Sequence, residues 1–249
     1  MAASAARRTL LGAALRPQTM TRTRTYHSTT HPSPPPPFSP TESLILESAL
    51  PHVPSHGFSL SSLALGARET GHLDISTNLF PEGAFALIRY HLYTQRVALS
   101  KQFAVPEEQK TKREVSRRVE EITWERLRGN EGVVGRWQEA LAIMAQPSYV
   151  PVSVKELGLL ADEILYLAGD RAVDPSWYTK RISLGGIYAA AELFMTNDRS
   201  EGFSETRRFL RRRLDEAGEI GEVGSSVREW LSFTAGAGVN VLRSKGMPI

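Results

Sequence analysis

Two short clusters of ionisable residues in the sequence have the side chains for metal or acid–base chemistry. Glu69 and His72 form a Glu-x-x-His motif, the kind that supplies ligands to di-iron carboxylate sites in helix bundles. Such a site needs two of these motifs on helices and further glutamates, whereas this single motif spans Gly71. Asp162 and Glu163 precede an apolar stretch and are interpreted as the polar edge of a helix. The sequence therefore predicts neither a metal site nor a catalytic group here.

The sequence motifs of common enzyme classes are absent. The chain contains no HExxH zinc motif, no phosphate-binding loop, no GxSxG nucleophile motif and no Gly-rich dinucleotide fingerprint after a strand. None of the 249 residues is cysteine, which excludes disulfides, thiolate metal sites and thiol chemistry. These observations predict a protein that is not an enzyme and that uses no cofactor. A small-molecule enzyme is the weakest of the alternatives that remain open.

The segment between Gly71 and Phe80 lies where a helix-turn-helix pattern places its DNA-recognition helix. Recognition helices read base edges with Arg, Lys, Asn or Gln, and nearby cations contact the phosphates. This segment contains Asn78 but no Lys or Arg, and Asp74 would repel a polyanion. Nucleic-acid binding is therefore not expected.

The first forty residues have a composition of their own. They contain five arginines, many Ser, Thr and Ala, and no acid, because the first acidic residue of the chain is Glu42. This composition predicts a mitochondrial transit peptide at 1–26, with Arg24 two residues before the cut, and a disordered basic tail is the alternative. Residues 27–40 follow as a Pro-rich spacer that does not join the core.

The net charge of the chain depends on this leader. The whole sequence has 30 Lys and Arg against 27 Asp and Glu, a net charge of +3. Without the five leader arginines the count is 25 against 27, a net charge of −2. The high isoelectric point thus belongs to the targeting segment and does not indicate a nucleic-acid partner.

Apolar residues recur at helical spacing through most of the chain after residue 39. Ser39-Pro40-Thr41-Glu42 reads as a capping box with proline at the first helical position, which predicts the start of the first helix. The spacing predicts helices at about 40–50, 58–68, 72–80, 84–104, 107–129, 133–145, 153–168, 175–197, 203–217 and 223–244. Because no alternating strand pattern and no repeat is present, the predicted fold class is all-α.

Two stretches resemble known families. Residues 45–71 and 80–92 resemble the N-terminal helix-turn-helix half of tetracycline-repressor-type proteins. Residues 160–200 read LADEILYLAGDRAVDPSWYTKRISLGGIYAAAELFMTNDRS and resemble a mitochondrial family of ubiquinone-biosynthesis accessory proteins, usually called the ninth Coq protein. The discriminating motif is AGD-x3-D-x2-WYT-[KR]-R, and the similarity covers about residues 42–245.

The resemblance implies a tetracycline-repressor-like helical domain with a degenerate helix-turn-helix and an added C-terminal amphipathic helix. It divides the chain into a helix-turn-helix-like region at 41–105, a helical lipid-binding region at 106–220 and a membrane-associating helix at 221–249. The implied function is that of an accessory protein, expected as a homodimer on the matrix side of the mitochondrial inner membrane.

The ligands and partners implied by the resemblance are lipids and other proteins of ubiquinone synthesis. The chain would bind isoprenoid quinone precursors and phospholipids, and would present the precursors to the di-iron demethoxyubiquinone hydroxylase. That enzyme would supply the metal for the reaction. A ligand-sensing DNA-binding regulator of the tetracycline-repressor type is the alternative function.

The resemblance also implies roles for individual residues. It implies that Arg181 binds a lipid head group, because its planar guanidinium group suits a phosphate. The alternative is that Arg181 is exposed and makes no specific contact. The resemblance puts the hydroxylase contact at Asp174, Trp177, Tyr178 and, on the preceding helix, Ile164. Trp and Tyr dominate interface hot spots, although Trp177 packed into the core is the other possibility.

Two further features concern lipid. Gly185 and Gly186 lie inside a predicted helix, where each lowers helix stability by about 1 kcal/mol relative to alanine. We expect another helix or a ligand to approach closely here, and tight packing alone is the alternative. The resemblance favours a hydrophobic tunnel among these helices.

An amphipathic C-terminal helix with Trp and terminal cations can lie in a lipid interface, or can pack on the body or on a second subunit. The predicted membrane-binding residues are Val227, Trp230, Leu231, Val241 and Leu242.

Overall fold

The computed structural model describes residues 35–108, 110–170 and 176–220. These ranges contain nine α-helices and no strand, so the predicted all-α fold class is confirmed. The helices are α1 (Pro40–Ala49), α2 (Val53–His56), α3 (Leu60–Glu69), α4 (Ala84–Gln102), α5 (Lys112–Arg128), α6 (Val134–Met144), α7 (Val150–Ala168), α8 (Ser176–Met195) and α9 (Ser204–Ile220). None of these described helices is both long enough and apolar enough to cross a bilayer.

Two helices begin at capping boxes. At the start of α1, the backbone N–H of Glu42 donates to the Ser39 hydroxyl, and the Ser39 N–H donates to the Glu42 carboxylate at 2.7 Å. The capping box predicted at this position is confirmed. Thr111 and Glu114 form a second capping box that starts α5 at Lys112, about five residues later than the apolar spacing predicted.

The short helix predicted after Gly71 is a 3-10 helix, Asp74–Leu79. Its backbone is tighter than that of an α-helix, and its side chains follow a different spacing. Arg68 at the end of α3 donates two hydrogen bonds to the Asp74 carboxylate, which ties this segment back to α3. The segment therefore does not form the α-helix that a helix-turn-helix protein inserts into DNA.

Buried apolar side chains form two clusters. We call the first the N-terminal core: Ile45, Leu46, Ala49, Val53, Phe58, Leu63, Ala67, Phe80, Phe85, Ala86, Leu87, Ile88, Tyr90, Val133, Trp137 and Ala140. We call the second the C-terminal core: Leu99, Val119, Ile122, Trp124, Leu127, Leu160, Ala161, Ile164, Leu165, Leu167, Ala168, Leu184, Ile187, Tyr188, Ala191, Met195 and Leu210. The 19-residue helix α4 contributes to both, and at 1.5 Å per residue it is about 28 Å long.

The closest helix contact in the N-terminal core lies between α1 and α3. A Cβ atom built on Gly66 would lie 2.6 Å from the Ala49 backbone nitrogen and 2.6 Å from the Ile45 carbonyl oxygen. Only glycine fits at this position, because both neighbours are backbone atoms that cannot rotate away. At Gly185, where a close approach was also expected, a Cβ would meet Leu157 at 3.4 Å, which is ordinary van der Waals contact between α7 and α8.

Candidate ligand site

A cavity of about 240 Å³ lies among α4, α5, α6, α7 and α8, where the two cores meet. One face of α7 supplies much of its wall, because Val150, Ser153, Val154, Leu157 and Leu160 recur at helical spacing. The exposed side chains of Val150 and Val154 place the mouth at the start of α7, and Val154 is 61% exposed. Apolar side chains from α4 and α6, namely Leu92, Leu141 and Met144, line the facing side.

The cavity floor carries ionisable side chains. These side chains are Arg96, Arg126, Glu156, Tyr188 and Glu192, and all of them line the cavity. Arg126 is 1% exposed, and Arg96 and Glu192 are also buried. Because unpaired buried charge is costly, these side chains need partners in the folded chain or in a ligand.

A hydrogen-bond network centred on Asn130 joins three helices at the floor. The side-chain oxygen of Asn130 accepts a bond from Arg126 Nη1 at 2.9 Å and lies 2.9 Å from His91 Nε2. The Asn130 amide donates to Glu192 at 2.8 Å, and the Tyr188 hydroxyl donates to the same carboxylate oxygen at 2.9 Å. The network thus connects α4, α5 and α8 through buried polar atoms.

The network determines the tautomer and the charge of His91. Since the Asn130 oxygen can only accept, His91 Nε2 must donate, which fixes the neutral tautomer with its proton on that nitrogen. Burial and, to a smaller extent, the positive charge of Arg126 lower the pKa of His91 from 6.5 to about 4, although the hydrogen bond to Asn130 acts in the opposite direction. His91 is therefore neutral at physiological pH.

Burial changes the pKa values of the Glu192 carboxyl and the Tyr188 hydroxyl in the opposite direction. It raises the pKa of the Glu192 carboxyl, although Arg126 and the hydrogen bonds from Tyr188 and Asn130 favour the ionised form. It also raises the pKa of the Tyr188 hydroxyl well above its usual value. The Tyr188 hydroxyl consequently keeps its proton and donates a hydrogen bond to Glu192.

Some guanidinium donors of the floor have no acceptor in the part of the chain that the structure describes. These atoms are Nε of Arg96 and both Nε and Nη2 of Arg126. The ion pair between Arg96 and Glu156 is long, with 3.5 Å between Nη2 and the carboxylate oxygen. These nitrogens are buried, so they can bind the oxygen atoms of a molecule in the cavity only when the guanidinium groups turn toward it.

The residues predicted to contact the hydroxylase lie in different environments. Tyr178 is 70% exposed near the start of α8, and Ile182, one turn later, is also exposed. Ile164 is 0% exposed in the C-terminal core, and its part in the hydroxylase contact stays a prediction. Its apolar side chain faces the neighbouring helices rather than solvent. Trp177 is the second residue of α8, and Asp174 lies outside the described residues.

The predicted lipid ligand Arg181 lies outside the cavity lining. Its Nε donates to the Asp162 carboxylate at 2.6 Å, an ion pair that links α8 to α7. Arg181 is thus not the exposed side chain without a contact that was considered as its alternative. Lys180 forms a similar pair with Asp170 at 2.9 Å. The predicted membrane-binding residues Val227, Trp230, Leu231, Val241 and Leu242 lie outside the described residues.

The two residues of the Glu-x-x-His motif have separate partners. Glu69 accepts a bond from Ser48 at 2.7 Å and pairs with His52 at 2.9 Å, whereas the His72 ring lies 3.0 Å from the Thr70 hydroxyl. No group of three metal-ligating side chains occurs in residues 35–108, 110–170 and 176–220.

The surface that a repressor of this kind would turn toward DNA is apolar here. Leu73 is 76% exposed, and Ile75 and Leu79 are also exposed. Together with the missing cations between Gly71 and Phe80, this surface disfavours contact with phosphates.

Sequence reasoning missed the polar floor of the cavity. The available signal was a charged residue inside an apolar run, as with Glu192 in IYAAAELFM. Lys, Glu, Arg and Asp are almost never fully buried unless paired, so Glu192 could have indicated a buried partner.

Comparisons with known proteins agree with this architecture. The COQ9 family model matches residues 150–221. The chain is similar to the mitochondrial ubiquinone biosynthesis protein coq9 of Schizosaccharomyces pombe, with 40% identity over 83% of this chain and 81% of that protein. COQ9 of Drosophila melanogaster is 35% identical over 71% of this chain and 55% of its own length, and human COQ9 is 33% identical over 74% and 59%.

Among solved structures, the chain resembles a TetR transcriptional regulator from Nitrosomonas europaea. The TM-score is 0.55 with 16% sequence identity, and the match covers 72% of this chain and 99% of the regulator. At this identity the similarity concerns the fold alone, and it confirms the predicted tetracycline-repressor-like architecture.

Proposed function

We propose a function on one premise: the chain belongs to the COQ9 family of ubiquinone biosynthesis proteins. Its relatives are mitochondrial proteins of that pathway, which gives the chain a role in ubiquinone biosynthesis. Within that role we propose a lipid-binding accessory protein at the matrix face of the inner membrane. It binds isoprenoid quinone precursors and presents them to the di-iron demethoxyubiquinone hydroxylase, without catalysing the reaction itself.

The cavity among α4 to α8 is the observation that supports lipid binding. Its apolar walls suit a prenyl chain, and the buried donors of Arg96 and Arg126 suit the oxygen atoms of a ring. The exposed valines at its mouth open it toward the surface at the start of α7. An amphipathic ligand matches this combination better than a fully polar metabolite does.

We propose that two surfaces serve the membrane and the partner. The C-terminal segment 221–249 attaches reversibly to the inner membrane, and deletion of residues 223–249 should reduce flotation with vesicles while the helical body stays folded. The exposed start of α8, with Tyr178 and Ile182, docks the hydroxylase together with Asp174 and Trp177. A homodimer is part of the proposal.

Arg181 is proposed to hold a phospholipid head group near this surface. A phosphate must compete there with the Asp162 carboxylate, which already contacts the guanidinium. Arg181→Ala should therefore lower the amount of phospholipid that co-purifies, and Asp162→Asn, which removes the competing charge, should raise it. Equal phospholipid content in both variants and the wild type would refute this role.

Native mass spectrometry of the protein purified from mitochondria with its lipids tests the function directly. The expected spectrum contains adducts whose masses match prenylated phenols or quinones. A protein that carries no lipid, or phospholipid only, would contradict the binding of quinone precursors.

A further inference from the structure

The buried arginines of the cavity floor are an unusual feature for a lipid site. A guanidinium normally satisfies its five donors, and a buried donor without an acceptor destabilises the folded chain. Arg126 has two nitrogens without an acceptor in the described chain, and Arg96 has one. Both arginines line the cavity, but these nitrogens themselves have almost no accessible surface, so a bound molecule with oxygen atoms can satisfy them only when the guanidinium groups turn toward the cavity.

The floor also offers acceptors. Glu156 is held by Arg96 through a long contact of 3.5 Å, and Glu192 accepts bonds from Asn130 and Tyr188 on one oxygen. A ring that carries both carbonyl or methoxy oxygens and hydroxyl groups would match donors and acceptors together. A phosphate would bring its negative charge next to these two carboxylates, so the floor suits a neutral oxygen-bearing ring better.

The size of the cavity limits which end of a prenylated ligand fits inside. An apolar cavity of about 150 Å³ accepts benzene, so a cavity of about 240 Å³ has room for one substituted ring. A chain of many isoprene units is far larger than this space and must extend through the mouth. Val150 and Val154 provide exposed apolar surface where such a chain would leave.

We propose that the cavity receives its ligand ring first, with the oxygen atoms of a neutral quinone or phenol ring bound by Arg96 and Arg126 and the prenyl tail leaving past Val150 and Val154. This inference rests on the proposed function and adds the orientation of the ligand and the residues that recognise its ring. Because adjacent helices supply the two arginines, the ring is held from both α4 and α5.

The test compares ligands that share a tail but differ in the ring. The probes are a ubiquinone with a two-isoprene tail, an isoprenoid hydrocarbon without a ring, and phosphatidylethanolamine in vesicles. The proteins are the wild type, Arg126→Met and the control Arg118→Met. Arg118 also has a buried Nε without an acceptor among the described residues, but it does not belong to the described cavity lining.

Arg126→Met should weaken binding of the short-chain ubiquinone by about tenfold to a hundredfold, since it removes hydrogen bonds from a charged donor. It should leave the ring-free hydrocarbon unchanged, and Arg118→Met should change neither. If circular dichroism shows that Arg126→Met does not fold, the double variant Arg96→Met with Glu156→Gln replaces it, with the same expected pattern.

The outcomes separate this inference from the proposed function. Equal binding of the quinone by the wild type and the floor variants would show that the tail enters first and would overturn the inference alone. Arg126-dependent binding of phosphatidylethanolamine but not of the quinone would assign the floor to phosphate and would also overturn it. A wild type that binds neither isoprenoid probe would contradict the proposed function as well.

Discussion

The α1–α3 region and the region around the cavity are built from the same kind of amphipathic helix, but their interiors differ. Between α1 and α3 the backbones approach so closely that Gly66 has no room for a methyl group. Among helices α4 to α8, the interior instead contains a cavity and a network of buried ionisable side chains. The first interior holds helices together, and the second has room and hydrogen-bonding groups for a ligand.

The two regions therefore differ in what their residues contribute: close packing in the first and space for a ligand in the second. The helix-turn-helix region keeps its packing, while its segment from Gly71 to Phe80 exposes apolar side chains and contains no Lys or Arg to contact phosphates. The cavity region carries the unsatisfied donors that a ligand could bind.

The largest expected effect is on the α1–α3 contact. Gly66→Ala should lower the free energy of unfolding by about 3 kcal/mol, the upper end of the usual cost of overpacking, because the new methyl group would collide with backbone atoms of α1. Gly158→Ala on α7 is the matched control, since a Cβ there meets nothing within 4 Å. It should raise stability by about 0.5 to 1 kcal/mol through helix propensity. Urea unfolding of both variants checks the pair, and a Gly66→Ala protein as stable as the wild type would disprove the close packing.

The next effect concerns the buried network and its dependence on pH. The unfolded state binds a proton at His91 near pH 6.5, whereas the folded state binds it only near pH 4. Between these values the unfolded state holds more protons, so the His91 contribution to stability is lost as pH falls, by about 3 kcal/mol in all. His91→Gln should remove this part of the slope when unfolding is measured from pH 7 to pH 4. Identical slopes in the two proteins would show that His91 is not buried as described.

A third prediction concerns the partner surface, with one exposed side chain taken from each region. Tyr178→Ala should weaken hydroxylase binding by about 2 kcal/mol or more, roughly thirtyfold, while the fold and the bound lipid are kept. Leu73→Ala removes an equally exposed apolar side chain from the helix-turn-helix region and should leave the affinity unchanged. Pull-down and titration with the hydroxylase decide between them. A stronger loss at Leu73 would move the docking surface to the other region.

The last prediction is that no specific DNA binding will be detected. The mature protein should show no specific DNA binding whose affinity depends on salt, because the segment from Gly71 to Phe80 has no cation. Gel-shift or anisotropy measurements at several salt concentrations check this. A nanomolar complex whose affinity falls steeply with salt would support the regulator and not the lipid-binding protein.

The fold could be predicted from the sequence because its signals are local. Apolar spacing and the box at Ser39 and Glu42 depend on residues a few positions apart, and they located eight of the nine described α-helices to within about five residues. The short helix α2 (Val53–His56) was not predicted. The 3-10 conformation at Asp74–Leu79 was missed, since the pairing of Arg68 with Asp74 across the turn is not encoded in helical periodicity.

The candidate site could not be predicted in the same way, because its members are distant in sequence. Asn130 and Glu192 are 62 positions apart, and His91 and Asn130 are 39 apart, so no local pattern connects them. The family resemblance includes Ile164 in the partner contact, whereas its burial in the C-terminal core could be learned only from the tertiary structure. The sequence identified the family, and the tertiary structure identified the floor of the cavity.

The most direct test of lipid binding in the cavity changes only the space inside it. Ala189 lines the cavity from α8, so Ala189→Phe should fill that space, whereas Ala189→Ser keeps nearly the original volume. Lipids extracted from both variants and from the wild type, purified from mitochondria, are quantified by mass spectrometry. We predict that Ala189→Phe loses most of its prenylated phenols and quinones while Ala189→Ser retains them. Full retention by a folded Ala189→Phe protein would contradict the cavity as the binding site.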